Sequence, residues 1–335
     1  MSSSDKLSRR ALCAGLGRLA GVATLAPAIL SPSIARAETM LRSIKEQKGG
    51  FLIELGLDHG PFPHRDAAWT DPTTFVFVPK HFRVPETNKV DTVVHFHGHR
   101  TTAAEAIKRH HLVGQLMDSK QNAILVVPQG PVNASSSAGG KLEGQRGFVR
   151  FLGEIRKALQ LPEVSATLGP AAISDAARIG AVAISAHSGG FYVAAQCLKK
   201  GGFNVNEVYL FDALYGERHA FRDWVLERRD QTGRERHKLI CYYTGEKVKA
   251  QSHELMTEFE AEGIGYEHEQ REGQLTRSQI TRARVVFINT GTDHGGVAYR
   301  NNALRDCLFA SCFKRRLSSD WFDDKHEKRK IEKRG

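Results

Sequence analysis

Residues 180–195 read Gly180-Ala181-Val182-Ala183-Ile184-Ser185-Ala186-His187-Ser188-Gly189-Gly190-Phe191-Tyr192-Val193-Ala194-Ala195. The apolar run Ala181-Val182-Ala183-Ile184 is too short for a helix and suits a strand covered on both faces, and helix-forming residues resume at Phe191. Between them lies a turn of small residues with Ser188 at its apex. A serine on so sharp a strand-to-helix turn sits in strained backbone, and its neighbours must be small, because larger side chains collide with the adjacent strand and helix. Ala186-His187-Ser188-Gly189-Gly190 meets that need. A glycine-bearing turn without chemistry meets it too, so the meaning of Ser188 rests on what surrounds it.

Outward from this turn, short apolar runs alternate with longer amphipathic stretches. Strands are expected at 51–57, 73–78, 91–96, 123–127, 180–185, 207–211, 238–243 and 284–289, eight in all. Helices are expected at 101–117, 142–159, 191–199, 220–228, 251–262 and 299–309. Hairpin-like spacing at the start, followed by strand-helix alternation, implies an α/β fold: a mostly parallel sheet with helices on both faces. No internal repeat is visible, and no Pro/Gly linker divides the body. The loop Asn133-Ala134-Ser135-Ser136-Ser137-Ala138-Gly139-Gly140 follows the fourth expected strand, at the end of the sheet where such folds place ligands.

A chain of 335 residues suffices for one large α/β domain or two small ones, and 41% hydrophobic residues support a sizeable core. The net charge of +11 sits at the ends: residues 1–37 carry five Lys/Arg against Asp5, and residues 314–335 carry nine against five Asp/Glu, which leaves +3 on the body. That is too little for a nucleic-acid-binding face, and no nucleic-acid module is recognisable. At the amino end, Ser8-Arg9-Arg10-Ala11-Leu12 leads into a Gly- and Ala-rich apolar run to Leu30 and then Ala35-Arg36-Ala37. This is the anatomy of a cleavable twin-arginine signal peptide over residues 1–37, with a periplasmic or secreted mature chain from Glu38. Arg18 and the small residues of the run argue against a permanent membrane span. Four cysteines then remain, Cys197, Cys241, Cys307 and Cys312, with no C-x-x-C pair; one disulfide stays open, while Cys197 and Cys241 lie in apolar runs and read as core. The charged tail, 314–335, reads as a solvated or frayed helix, with weak electrostatic contact to acidic envelope polymers as the alternative.

If Ser188 is a nucleophile, it needs a base to take its proton and a third group to orient that base. Asn289-Thr290-Gly291-Thr292-Asp293-His294-Gly295-Gly296 follows the eighth expected strand and puts His294 in a glycine-flanked loop. Two acids lie between: Asp212, closing the sixth expected strand, and Glu246, following the seventh. Asp212 is favoured, because an ionised group just past a buried strand needs a partner and because Glu246 is followed by Lys247 and Lys249. Asp223 and Asp293 are more distant choices. Acyl transfer also needs donors for an oxyanion. The amide of Gly189 supplies one, and His97-Gly98-His99-Arg100, after the third expected strand, supplies a second through Gly98 or His99.

Taken together, residues 51–313 resemble an α/β-hydrolase. Val93 to Gly98, Ala186 to Gly190, Asp212 and His294 carry the resemblance, each at a strand end and in the order serine, acid, histidine. The sequence departs from the pattern in having Ala186 for the first glycine of the nucleophile elbow and a single glycine in the oxyanion loop. The resemblance implies an eight-stranded α/β-hydrolase domain over residues 38–313 and a serine hydrolase without cofactor or metal. Its substrate would be a small-molecule or polymeric ester or amide, a carboxylic ester before a peptide or amide. It does not choose the acyl group. No lipase-like apolar insertion is present; residues 130–141 and 160–178 are the segments expected to shape specificity.

Two rival readings stand beside this one. The first is a binding protein that keeps the hydrolase fold without catalysis, against which the retention of serine, histidine and acid speaks. The second is a metal-dependent hydrolase. His95, His97 and His99 alternate along a strand and its exit, with His110 and His111 one helix later, and residues at i, i+2 and i+4 of a strand share a face. His99, however, lies past Gly98, where the strand should have turned. His187, beside Ser188, and His97 are read as lining the substrate pocket; His59 and His64 are read as turn or pocket-rim residues.

Overall fold

The computed structural model describes residues 40–317. The signal-peptide reading of residues 1–37 and the tail beyond residue 317 lie outside them. Ten strands form one sheet among the described residues: β1 (Met40–Gln47), β2 (Gly50–Gly56), β3 (Thr73–Pro79), β4 (Lys89–Phe96), β5 (Ala123–Pro128), β6 (Arg178–His187), β7 (Glu207–Phe211), β8 (Lys238–Tyr243), β9 (Tyr266–Glu269) and β10 (Val285–Asn289). Their order across the sheet is β1-β2-β3-β5-β4-β6-β7-β8-β10-β9. The pairings β1–β2, β2–β3 and β3–β5 are antiparallel, and the other six are parallel.

The eight-stranded expectation is corrected by β1 and β9, which close the two edges. Both are polar. β1, Met-Leu-Arg-Ser-Ile-Lys-Glu-Gln, and β9, Tyr-Glu-His-Glu, lack the apolar signal of a central strand. Charged edges are what keep a sheet from pairing with other chains, so pairing with β2 and β10, not propensity, makes these segments strands.

The helices are α1 (Ala103–Arg109), α2 (Leu112–Ser119), α3 (Gly147–Ala158), α4 (Pro162–Leu168), α5 (Phe191–Lys200), α6 (Arg218–Glu227), α7 (Glu246–Ala261), α8 (Arg277–Arg282) and α9 (Ala303–Phe309). The single helix expected at 101–117 is broken in two at His110 and His111, where His111 takes a left-handed φ of 49°. The central strands send alternate residues to two cores, as the pleat requires. Val94, Ile184 and Leu210 meet Phe148, Phe151, Val193, Phe221 and Phe259 of α3 to α7. Val93, Ala183 and Tyr209 meet Ala103, Leu112, Leu116, Ile280 and Leu304 of α1, α2, α8 and α9. Each large apolar side chain so buried contributes about 1.5–3 kcal/mol.

Cys197, Cys241 and Cys312 are in no disulfide, the first two fully buried in the core as expected. No helix among the described residues is long and apolar enough to cross a membrane. At the amino-terminal end of β5 the chain's last described residues are held by the backbone: the Asn122 amide donates to the Lys314 carbonyl at 2.9 Å, and the Arg316 amide donates to the Lys120 carbonyl at 2.9 Å.

Candidate active site

Five loops leave the carboxyl-terminal ends of neighbouring parallel strands. They follow β4 (Gly98, His99), β6 (Ser188), β7 (Asp212), β8 (Thr244, Gly245) and β10 (His294). This edge of an open α/β sheet is where ligand sites form.

Ser188 follows β6 directly, with φ at 51°, and opens one short turn, Ser188–Gly190, before α5. The left-handed conformation is a strained one for a residue with a Cβ, and it projects the hydroxyl out of the turn. The packing explains the small neighbours. A Cβ on Gly190 would stand 2.5 Å from the Phe96 carbonyl oxygen, and a Cβ on Gly98 would stand 2.8 Å from the Ser188 Cβ. The loops after β4 and β6 thus touch at the serine itself.

The structure brings Ser188, His294 and Asp212 together. Ser188 Oγ donates to His294 Nε2 at 2.9 Å, and His294 Nδ1 donates to Asp212 Oδ2 at 2.5 Å. Asp212 also has a left-handed φ, 44°, and its side chain is 2% exposed. Its Oδ1 accepts the amides of Thr244 at 3.0 Å and Gly245 at 3.4 Å. Burial alone would raise its pKa, but the hydrogen bonds from His294, Thr244 and Gly245 outweigh it and hold the carboxyl below its ordinary value. Glu246 is not brought in: it starts α7, is 91% exposed and sits 3.7 Å from Lys249. Asp223 pairs with Arg222, and Asp293 pairs with Arg300 and caps the Gly296 amide.

Tyr215 completes this group and was not anticipated in the sequence. Its hydroxyl donates to Asp212 Oδ2 at 3.3 Å and lies 3.5 Å from His294 Nδ1. Burial and the neighbouring Asp212 push its pKa up to about 12, so it stays a donor. The only sequence signal was an aromatic residue three positions after Asp212.

The other candidates fall in two sets. Gly189 follows the serine in the turn, and Gly98 abuts it; among the described residues neither the Gly98 nor the His99 amide has a hydrogen-bond partner. The exposed His99 ring lies over Gly189, with Nε2 2.8 Å from Ser137 Oγ. His97 and His187, by contrast, are buried, and their nitrogens are engaged with protein. His97 Nδ1 donates to the Gly98 carbonyl at 2.8 Å, and its Nε2 accepts the Gly130 amide at 2.9 Å. His187 Nε2 donates to the His294 carbonyl at 2.8 Å. Burial lowers the pKa of both, that of His187 to about 4, so both rings are neutral.

The metal reading of His95, His97 and His99 fails on geometry. β4 ends at Phe96, so only His95 lies within the strand, and the three rings have three separate partners: Ser185, Gly130 and Ser137. His95, His110 and His187 instead pack in a buried row that ends on His294, the first two contacts edge to face and the last tilted, with successive ring centroids 5.7, 4.6 and 4.9 Å apart. His59 belongs to a turn fixed by Glu154, whose carboxylate accepts the Asp58 and His59 amides at 2.7 and 2.6 Å.

No family model matches the chain, and no curated protein matches it in sequence. Solved structures do resemble it. A ferulic acid esterase aligns at a TM-score of 0.45 and 14% identity, over 71% of this chain and 92% of its own. An S-formylglutathione hydrolase from Staphylococcus aureus aligns at 0.48 and 9%, over 79% and 99%. The siderophore hydrolase EstB from Aspergillus nidulans aligns at 0.41 and 12%, over 83% and 100%.

Proposed function

We propose that this chain is a serine hydrolase that cleaves a carboxylic ester through an acyl-enzyme. The observation that carries the proposal is the line of hydrogen bonds from Ser188 through His294 to the buried Asp212. Ser188 Oγ passes its proton to His294 Nε2 as it bonds to the carbonyl carbon. Asp212, ionised and fixed by three further donors, holds His294 in the tautomer with the proton on Nδ1 and stabilises the imidazolium that forms. The carbonyl oxygen takes the negative charge against the amides of Gly189 and of Gly98 or His99; losing one such donor typically costs about 2.7–4 kcal/mol. His294 then protonates the departing alcohol, and a water activated by the same imidazole releases the acid and restores Ser188.

A fluorophosphonate probe tests this. Wild-type protein is expected to be labelled on Ser188, and Ser188→Ala is not. Asp212→Asn should lower kcat by about 10⁴-fold, the usual cost of the wrong histidine tautomer, and Glu246→Gln should leave it unchanged. Folded protein that takes no label on Ser188 overturns the proposal. Residues 1–37 support export of this enzyme to the periplasm or beyond: exported material should begin at Glu38, and exported material that still carries Met1 would refute the reading.

A further inference from the structure

A cavity of about 20 Å³ lies beside the Ser188 turn, lined by Phe96, His97, Gly130, Ser137, Gly189 and Val193 among others. That is room for one group the size of a water molecule or a methyl. The cavity meets the turn at Gly189. A Cβ there would start 2.3 Å from the His99 ring and 3.0 Å from Ser137 Oγ, so this hydrogen-bonded pair stands between the turn and the loop after β5. On the α5 side the wall is Val193, 7% exposed. A Cβ on Gly139 would fall 2.5 Å from Val193 Cγ2, so the loop and the helix already touch and the wall has no slack.

We propose that this cavity is the acyl pocket and that the enzyme prefers acetyl esters, an inference that rests on the serine hydrolase reading above. A departing alcohol must lie within reach of His294 Nε2, which reprotonates it. The acyl substituent then lies on the Gly189 side of the serine, where the cavity accepts one methyl. The alcohol side is open: the His294 side chain is 45% exposed, and half-buried Tyr215 stands beside it with Lys247 Nζ 5.6 Å from its ring centroid. The pocket therefore limits the acid and leaves the alcohol free to be large.

The test is kcat/KM for p-nitrophenyl acetate, butyrate and octanoate with the full chain. Activity is expected to fall by about tenfold or more for each added methylene up to butyrate, the usual discrimination of a filled apolar pocket. Val193→Ala, which enlarges the wall, and Ser137→Gly, which opens the His99 bridge, should each raise the butyrate-to-acetate ratio by about fivefold or more. Equal turnover of octanoate and acetate by the wild type overturns the pocket, as does an unchanged ratio in both variants when they remain folded. Ser188 labelled by fluorophosphonate alongside either result removes the acyl pocket alone. No labelling and no ester turned over removes the hydrolase reading with it.

Discussion

His187 shows how much one side chain can hold at the residue scale. It precedes the serine, donates to the carbonyl of His294 and faces Gly98, where a Cβ would lie 3.0 Å from its Nδ1. One ring thus joins the loops after β6, β10 and β4, which carry Ser188, His294 and Gly98. In the proposed mechanism it is a positioning residue, acting through the backbone of His294. Replacing it with Phe keeps the volume and removes the donor; a net hydrogen bond is worth about 0.5–1.5 kcal/mol, so kcat should fall about tenfold with KM little changed. His187→Gln, which restores an N–H, should recover part of that loss in steady-state kinetics. An unchanged kcat in His187→Phe would assign the ring to packing alone. Ser188, His294 and Asp212 were legible in the sequence because each follows a buried strand, in the serine, acid, histidine order of the fold that the sequence resembles. Tyr215 was not, because nothing in its neighbours says which way a tyrosine turns after a strand end. His187 and His97 were legible as near the site, but the side they face depends on which loop packs over them.

Among the elements, the turn into α5 depends on glycine for space more than for conformation. Gly190→Ala would put a Cβ 2.5 Å from the Phe96 carbonyl, a backbone atom that cannot swing aside. Overpacking of this kind costs about 1–3 kcal/mol, and the denaturant midpoint should drop with the m-value unchanged. An unaltered midpoint would mean that α5 shifts freely against β4. The same scale shows what pattern reading can reach. β7 and β8 coincide with their expected limits, 207–211 and 238–243, because each is a run of large apolar and aromatic residues buried on both faces after one charged first residue, Glu207 or Lys238, that marks its start. α8 was passed over although Thr276 and Gln279 form a capping box, because six residues show too little periodicity. The break at His110 and His111 is fixed by packing and has no Gly or Pro to announce it.

For the molecule as a whole, buried histidines set a dependence on pH. Burial lowers the pKa of His81, His187 and His237 to about 4 and holds those of His95 and His110 well below the ordinary value, while in the unfolded chain each returns to about 6.5. The unfolded state therefore binds more protons between those values. Stability is full above about pH 6.5 and is lost as pH falls toward 4, by an amount on the order of several kcal/mol. Buried Asp91 and Glu207, whose pKa values burial raises, work in the opposite direction but are fewer. Denaturant titrations at stepped pH check this; a midpoint that is flat across the interval would show that these histidines take up protons as readily in the folded chain as in the unfolded one. The α/β class and the two helical layers were readable from composition and alternation alone, whereas the edge strands became strands only in the company of the rest of the sheet.

The pinning of residues 314–316 against residues 120–122 has a practical consequence. These residues lie at the amino-terminal end of β5, whereas Ser188 lies past the carboxyl-terminal end of β6, and both strands run parallel to β4 between them. The last described backbone contacts with the sheet therefore lie at the pole opposite Ser188. A surface or carrier attached at residues 314–316 would hold the molecule with Ser188 turned away from the attachment.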